Sequence, residues 1–200
     1  ISYGMHGIIG DGEPGFNHYP GFHVKYRAFD ESNTRPALLF GINTQGKGEY
    51  TDENKEPTAG DITSISVKRY DQKALGFFIS LSKNWDFFGN LGFHIGINKN
   101  FWEETGDPED DNQLNIFFGF DKELNRSFSL YGEYNFARDD DFYTGDEGIE
   151  NILDRKGRGY FNVGLRWSAS DNLMLEMNVN DLSKNNKVSD SINRELKVIY

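Results

Sequence analysis

Residues 89–98 read GNLGFHIGIN, with Leu91, Phe93, Ile95 and Ile97 at every second position and Gly92, His94, Gly96 and Asn98 between them. A period of two puts the two sets on opposite faces of a strand. The second set is the informative one. A soluble sheet turns its polar face to water, where glycine has no advantage. In a confined interior, glycine instead makes room for neighbouring Tyr, Arg and His side chains.

The pattern spreads in both directions from this stretch. Alternating segments fall near 2–10 (SYGMHGIIG), 20–29 (PGFHVKYRAF), 35–43 (RPALLFGIN) and 74–83 (ALGFFISLSK). Beyond 89–98 they continue near 112–121 (NQLNIFFGFD), 127–136 (SFSLYGEYNF), 158–167 (RGYFNVGLRW), 172–181 (NLMLEMNVND) and 192–200 (INRELKVIY). Long connections (11–19, 44–73, 99–111, 137–157, 182–191) alternate with short ones (30–34, 84–88, 122–126, 168–171). About 9–11 tilted residues cross an outer-membrane hydrocarbon layer, and single-chain bacterial barrels close on even strand counts. The pattern therefore predicts an all-β fold, an antiparallel transmembrane β-barrel of ten strands formed by a single domain over residues 1–200. Its location would be the bacterial outer membrane. Phe93, Phe118, Phe161 and Leu175 would face lipid, and the polar set would line a lumen.

ITSISVKRY near 62–70 also alternates and is open to three readings: an outward extension of the fourth strand, the first arm of a hairpin above the membrane, or an additional wall strand. The extracellular extension is favoured, since an eleventh wall strand would break the even count and the long-short alternation. The chain starts at Ile1 without a basic, apolar leader, as a mature or trimmed chain would, and it ends on the aromatic Tyr200. No apolar run reaches the ~18 residues of a helical span. Cysteine is absent, which excludes a disulfide scaffold or thiolate site.

The net charge of −11 is carried by the connections and argues against nucleic acid as a partner, because phosphate binding needs the opposite field. The acids Glu103, Glu104, Asp107 and Asp110 fall in 99–111, and Asp139, Asp140 and Asp141 fall in 137–157. As exposed loops these could recruit a partner or bind divalent cations weakly. They lack the order of a calcium-binding loop, so no metal site and no cofactor is expected.

The inward set carries His23, Lys25, Arg27, His94, Glu133, Arg166, Glu176, Glu195 and Lys197. Neighbouring strands would place Arg166 beside Glu176 and Glu176 near Glu195 or Lys197, and closure would bring Lys25 and Arg27 to the last strand. A ladder of paired charges is the ordinary filling of a small barrel. A narrow polar conduit is the alternative. No GxSxG element and no Asp-x-His element occurs, so no catalytic residue is assigned. The one enzymatic alternative is a hydrolase with His18 at the rim beside Asp11 or Glu13.

The segments RPALLFGIN (35–43), FFISLSKNW (77–85), NLGFHIGIN (90–98), GLRWSASDNLMLEMNVNDL (164–182) and NRELKVIY (193–200) resemble the repeated barrel segments of YjbH-like outer-membrane proteins, which are linked to exopolysaccharide production. The alternation of long and short connections, the charge-filled lumen and the missing catalytic set point to a non-enzymatic scaffold or component of envelope export or transport, and the resemblance implies that the export is of polysaccharide. Outer-membrane lipid and lipopolysaccharide, the barrel assembly machinery and envelope export proteins would be its partners. Adhesion through the acidic loops is the competing binding function.

Overall fold

The computed structural model describes residues 1–6, 14–17, 19–55, 65–105, 111–140, 156–185 and 192–199. Nine strands form one antiparallel sheet: β3 (His23–Phe29), β4 (Ala37–Asn43), β7 (Gly76–Asp86), β8 (Asn90–Lys99), β9 (Asn115–Glu123), β10 (Phe128–Asn135), β11 (Tyr160–Ser170), β12 (Leu173–Asn180) and β13 (Asn193–Ile199). Their spatial order is β13-β12-β11-β10-β9-β8-β7-β4-β3. Two small hairpins stand apart from it, β1 (Met5–His6) with β2 (Gly15–Phe16), and β5 (Lys47–Lys55) with β6 (Ile65–Gln72).

This architecture corrects the expected ten-strand closed barrel. Among the described residues β3 and β13 are the two free edges of an open sheet, and no hydrogen-bonded register joins them. Among the described residues, the segment near 2–10 supplies the short β1, paired in register with Gly15–Phe16, and a bridge from Ser2 to Gly21, and none of these pairs with a strand of the sheet. The stretch 62–70 is not an extension of a wall strand either, because β6 pairs with β5 in a hairpin of its own. The outer-membrane location, and with it lipopolysaccharide, the assembly machinery, export partners and a porin-like transport role, rested on closure and falls with it. Among the described residues no helix is long and apolar enough to cross a membrane.

The division of faces does follow the alternation. Phe93, Phe118 and Phe161 point outward and remain 36–39 % exposed, whereas Asn98, Asn115 and Asn162 on the other face are nearly sealed. Outward rings stack along the sheet, Phe93 on Phe118 and Phe128 on Trp167, each with centroids 6.0 Å apart. The inward face curves toward itself: Lys47, four residues beyond the end of β4, reaches Glu133 of β10 at 3.4 Å across the intervening strands. The inward face is thus a polar concavity.

Glycine on that face seats aromatic rings. Gly41 lies opposite Phe78, Gly96 opposite Phe117 and Gly164 opposite Tyr131. A Cβ at Gly96 would stand 2.3 Å from the Phe117 ring and 2.5 Å from the Ile79 carbonyl oxygen. The ring could rotate aside, but the carbonyl is fixed in the β7–β8 ladder. Gly96→Ala should therefore cost about 1–3 kcal/mol, as overpacking does. Urea unfolding within a few tenths of wild type would contradict this packing.

Asparagines close the tops of the strands. Asn115 Oδ1 accepts the Arg138 N–H at 3.2 Å, Asn135 Oδ1 that of Ala137 at 2.8 Å, and Asn162 Oδ1 that of Asp181 at 2.9 Å. These bonds hold the chain as it leaves the sheet, where Ala137 and Asp181 take φ of 51° and 57°. At the other end, Lys122 Nζ donates to the carbonyls of Phe87, Phe88 and Gly89 at 2.6–3.0 Å and pins the β7–β8 turn.

Candidate functional site

Three polar groups of adjacent strands line up in the concavity. His94 of β8 lies directly opposite Ser82 of β7, with Nδ1 2.7 Å from Ser82 Oγ, and its Nε2 is 2.6 Å from Asp121 Oδ1 of β9. The Asp121 carboxyl is held below its ordinary range, chiefly by the hydrogen bond from His94. This is the connectivity of a nucleophile, a base and an orienting acid. A working acyl-transfer site also needs donors aimed at the developing oxyanion. Ser82 sits inside the paired run of β7, opposite both Ala37 and His94, where backbone N–H groups serve the ladder. The nearby Asn84 amide donates to Glu31 Oε2 at 2.6 Å. The trio is therefore organised as a cross-strand hydrogen-bond ladder. Sequence reading placed His94 on this face but did not connect it to Ser82 or Asp121.

A second network occupies β10–β13. Arg166 donates from Nε to Glu176 Oε1 at 2.8 Å, with Nη2 2.7 Å from the same oxygen, and its guanidinium lies 5.3 Å from the Tyr131 ring centroid. Tyr131 donates toward Glu176 and Asn178, and burial first, then the Glu176 charge, pushes its phenol far up. Asn178 Nδ2 donates to Glu195 Oε2 at 3.0 Å, and Lys197 Nζ lies 3.3 Å from that oxygen. Burial works against the Glu195 carboxylate, but Lys197, Asn178 and Lys47 together hold it low. Lys47, from the β5–β6 hairpin, reaches Glu133 at 3.4 Å and is the main cause of its lowered pKa.

The remaining cationic side chains of β3 differ among themselves. Arg27 turns to Asp30 at 3.4 Å in the solvent-exposed turn. His23 and Lys25 make no hydrogen bond or ion pair among the described residues. Burial, then Lys25, Lys197 and the chain's amino group, lower the His23 pKa. Burial, then Arg166, lowers that of Lys25.

The loop acids are used in a way that composition did not suggest. Glu103 is buried and accepts hydrogen bonds from the Tyr70 and Ala74 N–H groups and the Asn100 amide at 2.8–3.0 Å. Asp140 is buried against Arg69 of β6 and takes a 2.6 Å hydrogen bond from the Tyr160 hydroxyl. Lys73 bonds Asp111 at 2.6 Å and the Asp139 carbonyl at 2.9 Å. These acids thus clamp the β5–β6 hairpin over one end of the concavity. Glu104 is exposed, and its backbone bridges that of Lys68. Asp107, Asp110 and Asp141 lie outside the described residues, as do His18, Asp11 and Glu13. Among the described residues no three His, Asp or Glu side chains are grouped to hold a metal ion.

The chain matches no protein-family model, and no curated protein is similar to it in sequence. The resemblance to YjbH-like proteins consequently gains no support, and the open sheet contradicts the barrel that it implied.

Proposed function

We propose that this chain is a non-catalytic interaction module whose outward sheet face is covered by an apolar surface of a partner protein. The carrying observation is that face itself. Ile95, Ile97, Met177, Leu196 and Val198 are 40–64 % exposed and adjoin the outward Phe, Leu and Trp side chains of β4–β11. Contiguous apolar patches on monomeric soluble proteins are typically no more than a few hundred Å², and larger ones mark interaction surfaces. The paired charges of the concavity support a binding role over chemistry, as does the ladder-like use of Ser82 and His94.

The test places a photocrosslinking amino acid at Phe93, Phe118 or Phe161 and, as the inward control, at Phe117, in the producing cell. Discrete protein adducts at the outward positions and none at Phe117 are expected. Replacing Phe93, Ile95 and Phe118 with threonine should weaken the complex by roughly 1 kcal/mol per side chain. Adducts with lipid alone, or none at any outward position, would defeat the reading.

A further inference from the structure

We propose that the chain forms a two-fold dimer in which β13 (Asn193–Ile199) pairs antiparallel with β13 of a second copy, centred on Leu196, so that two sheets become one. The joint uses a sheet edge and leaves the outward rings of β7–β11 uncovered, so it stands independently of the protein partner assigned to that face.

The two free edges of the sheet differ. An edge strand presents a row of unpaired N–H and C=O groups, and proteins blunt such edges with bulges, inward charges or proline. On β3 the register with β4 slips between Arg27 and Phe29, and His23, Lys25 and Arg27 occupy alternate positions on the inward side. On β13 the pairing with β12 runs through seven consecutive positions without a slip, and the strand contains no proline. Its inward Lys197 is matched by Glu195 at 3.3 Å. Among the described residues nothing pairs with its free side. This edge is a regular template for another strand.

Strand direction limits how the edge can be completed. Each of the nine strands is antiparallel to the next, so β3 and β13, at the two ends of the order, run the same way. A joint of β13 with β3 of another copy, with both inward faces on one side, would be parallel, the less stable pairing per residue. A two-fold axis perpendicular to the sheet instead joins like edges, makes the pair antiparallel and keeps inward faces together.

Charge selects the edge and the register. Two-fold pairing of β3 sets basic side chains against each other: Lys25 meets itself about Lys25, His23 about Val24 and Arg27 about Tyr26. Pairing of β13 about Leu196 places Glu195 opposite Lys197 twice on the inward face, and Leu196 opposite its own copy on the outward face. With the Glu195–Lys197 contact inside each strand, the four charges alternate in sign along and across the joint. Moving the centre one residue either way sets Glu195 against Glu195 or Lys197 against Lys197, and like charges directly opposite destabilise a strand pair. On the outward side Arg194 lies opposite Val198, which is well exposed in the single chain and would be covered by the arginine stem.

Sedimentation equilibrium of the full chain, from micromolar to millimolar concentration, should show a monomer–dimer equilibrium. Glu195→Lys alone and Lys197→Glu alone should each weaken dimerisation about tenfold or more, because two attractive pairs become repulsive. An equimolar mixture of the two variants should dimerise again, since each lysine then faces a glutamate; damage to the fold would not be repaired by mixing. Leu196→Cys, the single thiol in a chain without cysteine, should give a disulfide-linked dimer on mild oxidation. Directly opposed Cα atoms of an antiparallel pair lie about 4.5–5.5 Å apart, within the reach of that bond. Val24→Cys, equally exposed but on β3, should stay unlinked. Phe93→Thr with Phe118→Thr should leave the dimer intact. The proposal is overturned if the chain is monomeric throughout, if either charge reversal dimerises as wild type does, or if the mixture fails to recover what the single variants lose. It is equally overturned if Val24→Cys links as readily as Leu196→Cys, or if the outward double variant abolishes the dimer.

Discussion

Asp140→Ala should lower the unfolding free energy by about 3–5 kcal/mol, the range for removing one partner of a buried ion pair. The side chains of Arg69 and Asp140 are 2 % and 1 % exposed, and the contact is bidentate, with both guanidinium Nη atoms on the carboxylate. Burial alone would depress the Arg69 pKa, but the Asp140 charge and hydrogen bonds raise it instead. Without Asp140, the guanidinium keeps hydrogen bonds to the uncharged carbonyls of Tyr70 and Asp71, and the Glu103 carboxyl acts on it more weakly than Asp140 does. The Tyr160 hydroxyl would lose its 2.6 Å acceptor as well. Urea unfolding of the single variant measures the cost. The double variant Arg69→Met with Asp140→Leu separates a stranded charge from lost packing, and should recover most of the stability. If Asp140→Ala changes stability by less than about 1 kcal/mol, or the double variant is worse than the single, the pair is not what ties the hairpin to the sheet.

How much of this could be read in advance depends on range. Strands with strict alternation were legible to within a residue or two: GNLGFHIGIN is β8 and NLMLEMNVN contains β12. The segment near 2–10 has Gly4, Gly7 and Gly10 interrupting it, and glycine weakens a strand interior. Among its described residues, Met5–His6 forms a two-residue strand and Ser2 bridges Gly21. The arm KGEYTDENK escaped notice because it has no apolar face, and its partner β6 defines it as a strand. Closure was over-read because alternation specifies faces but not whether the two edge strands find each other.

The site shows the same limit. The tight turn around Phe88 puts Ser82 and His94 opposite each other, so that pair was recoverable from the hairpin alone. Asp121 was not, because the register of β8 with β9 passes through the long connection 100–114. The acid-rich loops read as solvated because their partners are distant in sequence. Arg69 lies 71 residues before Asp140, and nothing local marks that carboxylate for burial.

Stability should also fall as pH rises from about 4.5 to 7, against the trend set by ordinary ion-paired carboxylates. Burial pushes the Glu103 carboxyl from its ordinary 4.5 to about 7, outweighing the donors from Tyr70, Ala74 and Asn100 and the nearby Arg69 charge. A carboxyl with a raised folded-state pKa favours folding fully below its unfolded pKa. It loses that contribution as the unfolded chain ionises first, until the folded form ionises too. The loss for Glu103 is about 3 kcal/mol across that window. Asp139, pushed to about 6 by burial despite Lys73, adds a decline of the same sign that ends sooner. Asp121, Glu133 and Glu195 have lowered values, so their opposite contributions are lost only at more acidic pH. Glu103→Gln should be less stable at pH 5, since its amide nitrogen would face a backbone N–H of Tyr70 or Ala74 where an acceptor is required. Its stability should nevertheless fall much less than the wild type's between pH 5 and 7, because the Glu103 contribution is gone and only the decline from Asp139 and the opposing rise from His23, whose pKa is lowered in the folded chain, remain. Urea unfolding of both proteins across pH 4.5–8 supplies the comparison. A wild-type stability that climbs through this range, or a variant that keeps the wild-type slope, would mean that Glu103 does not hold its proton in the folded state.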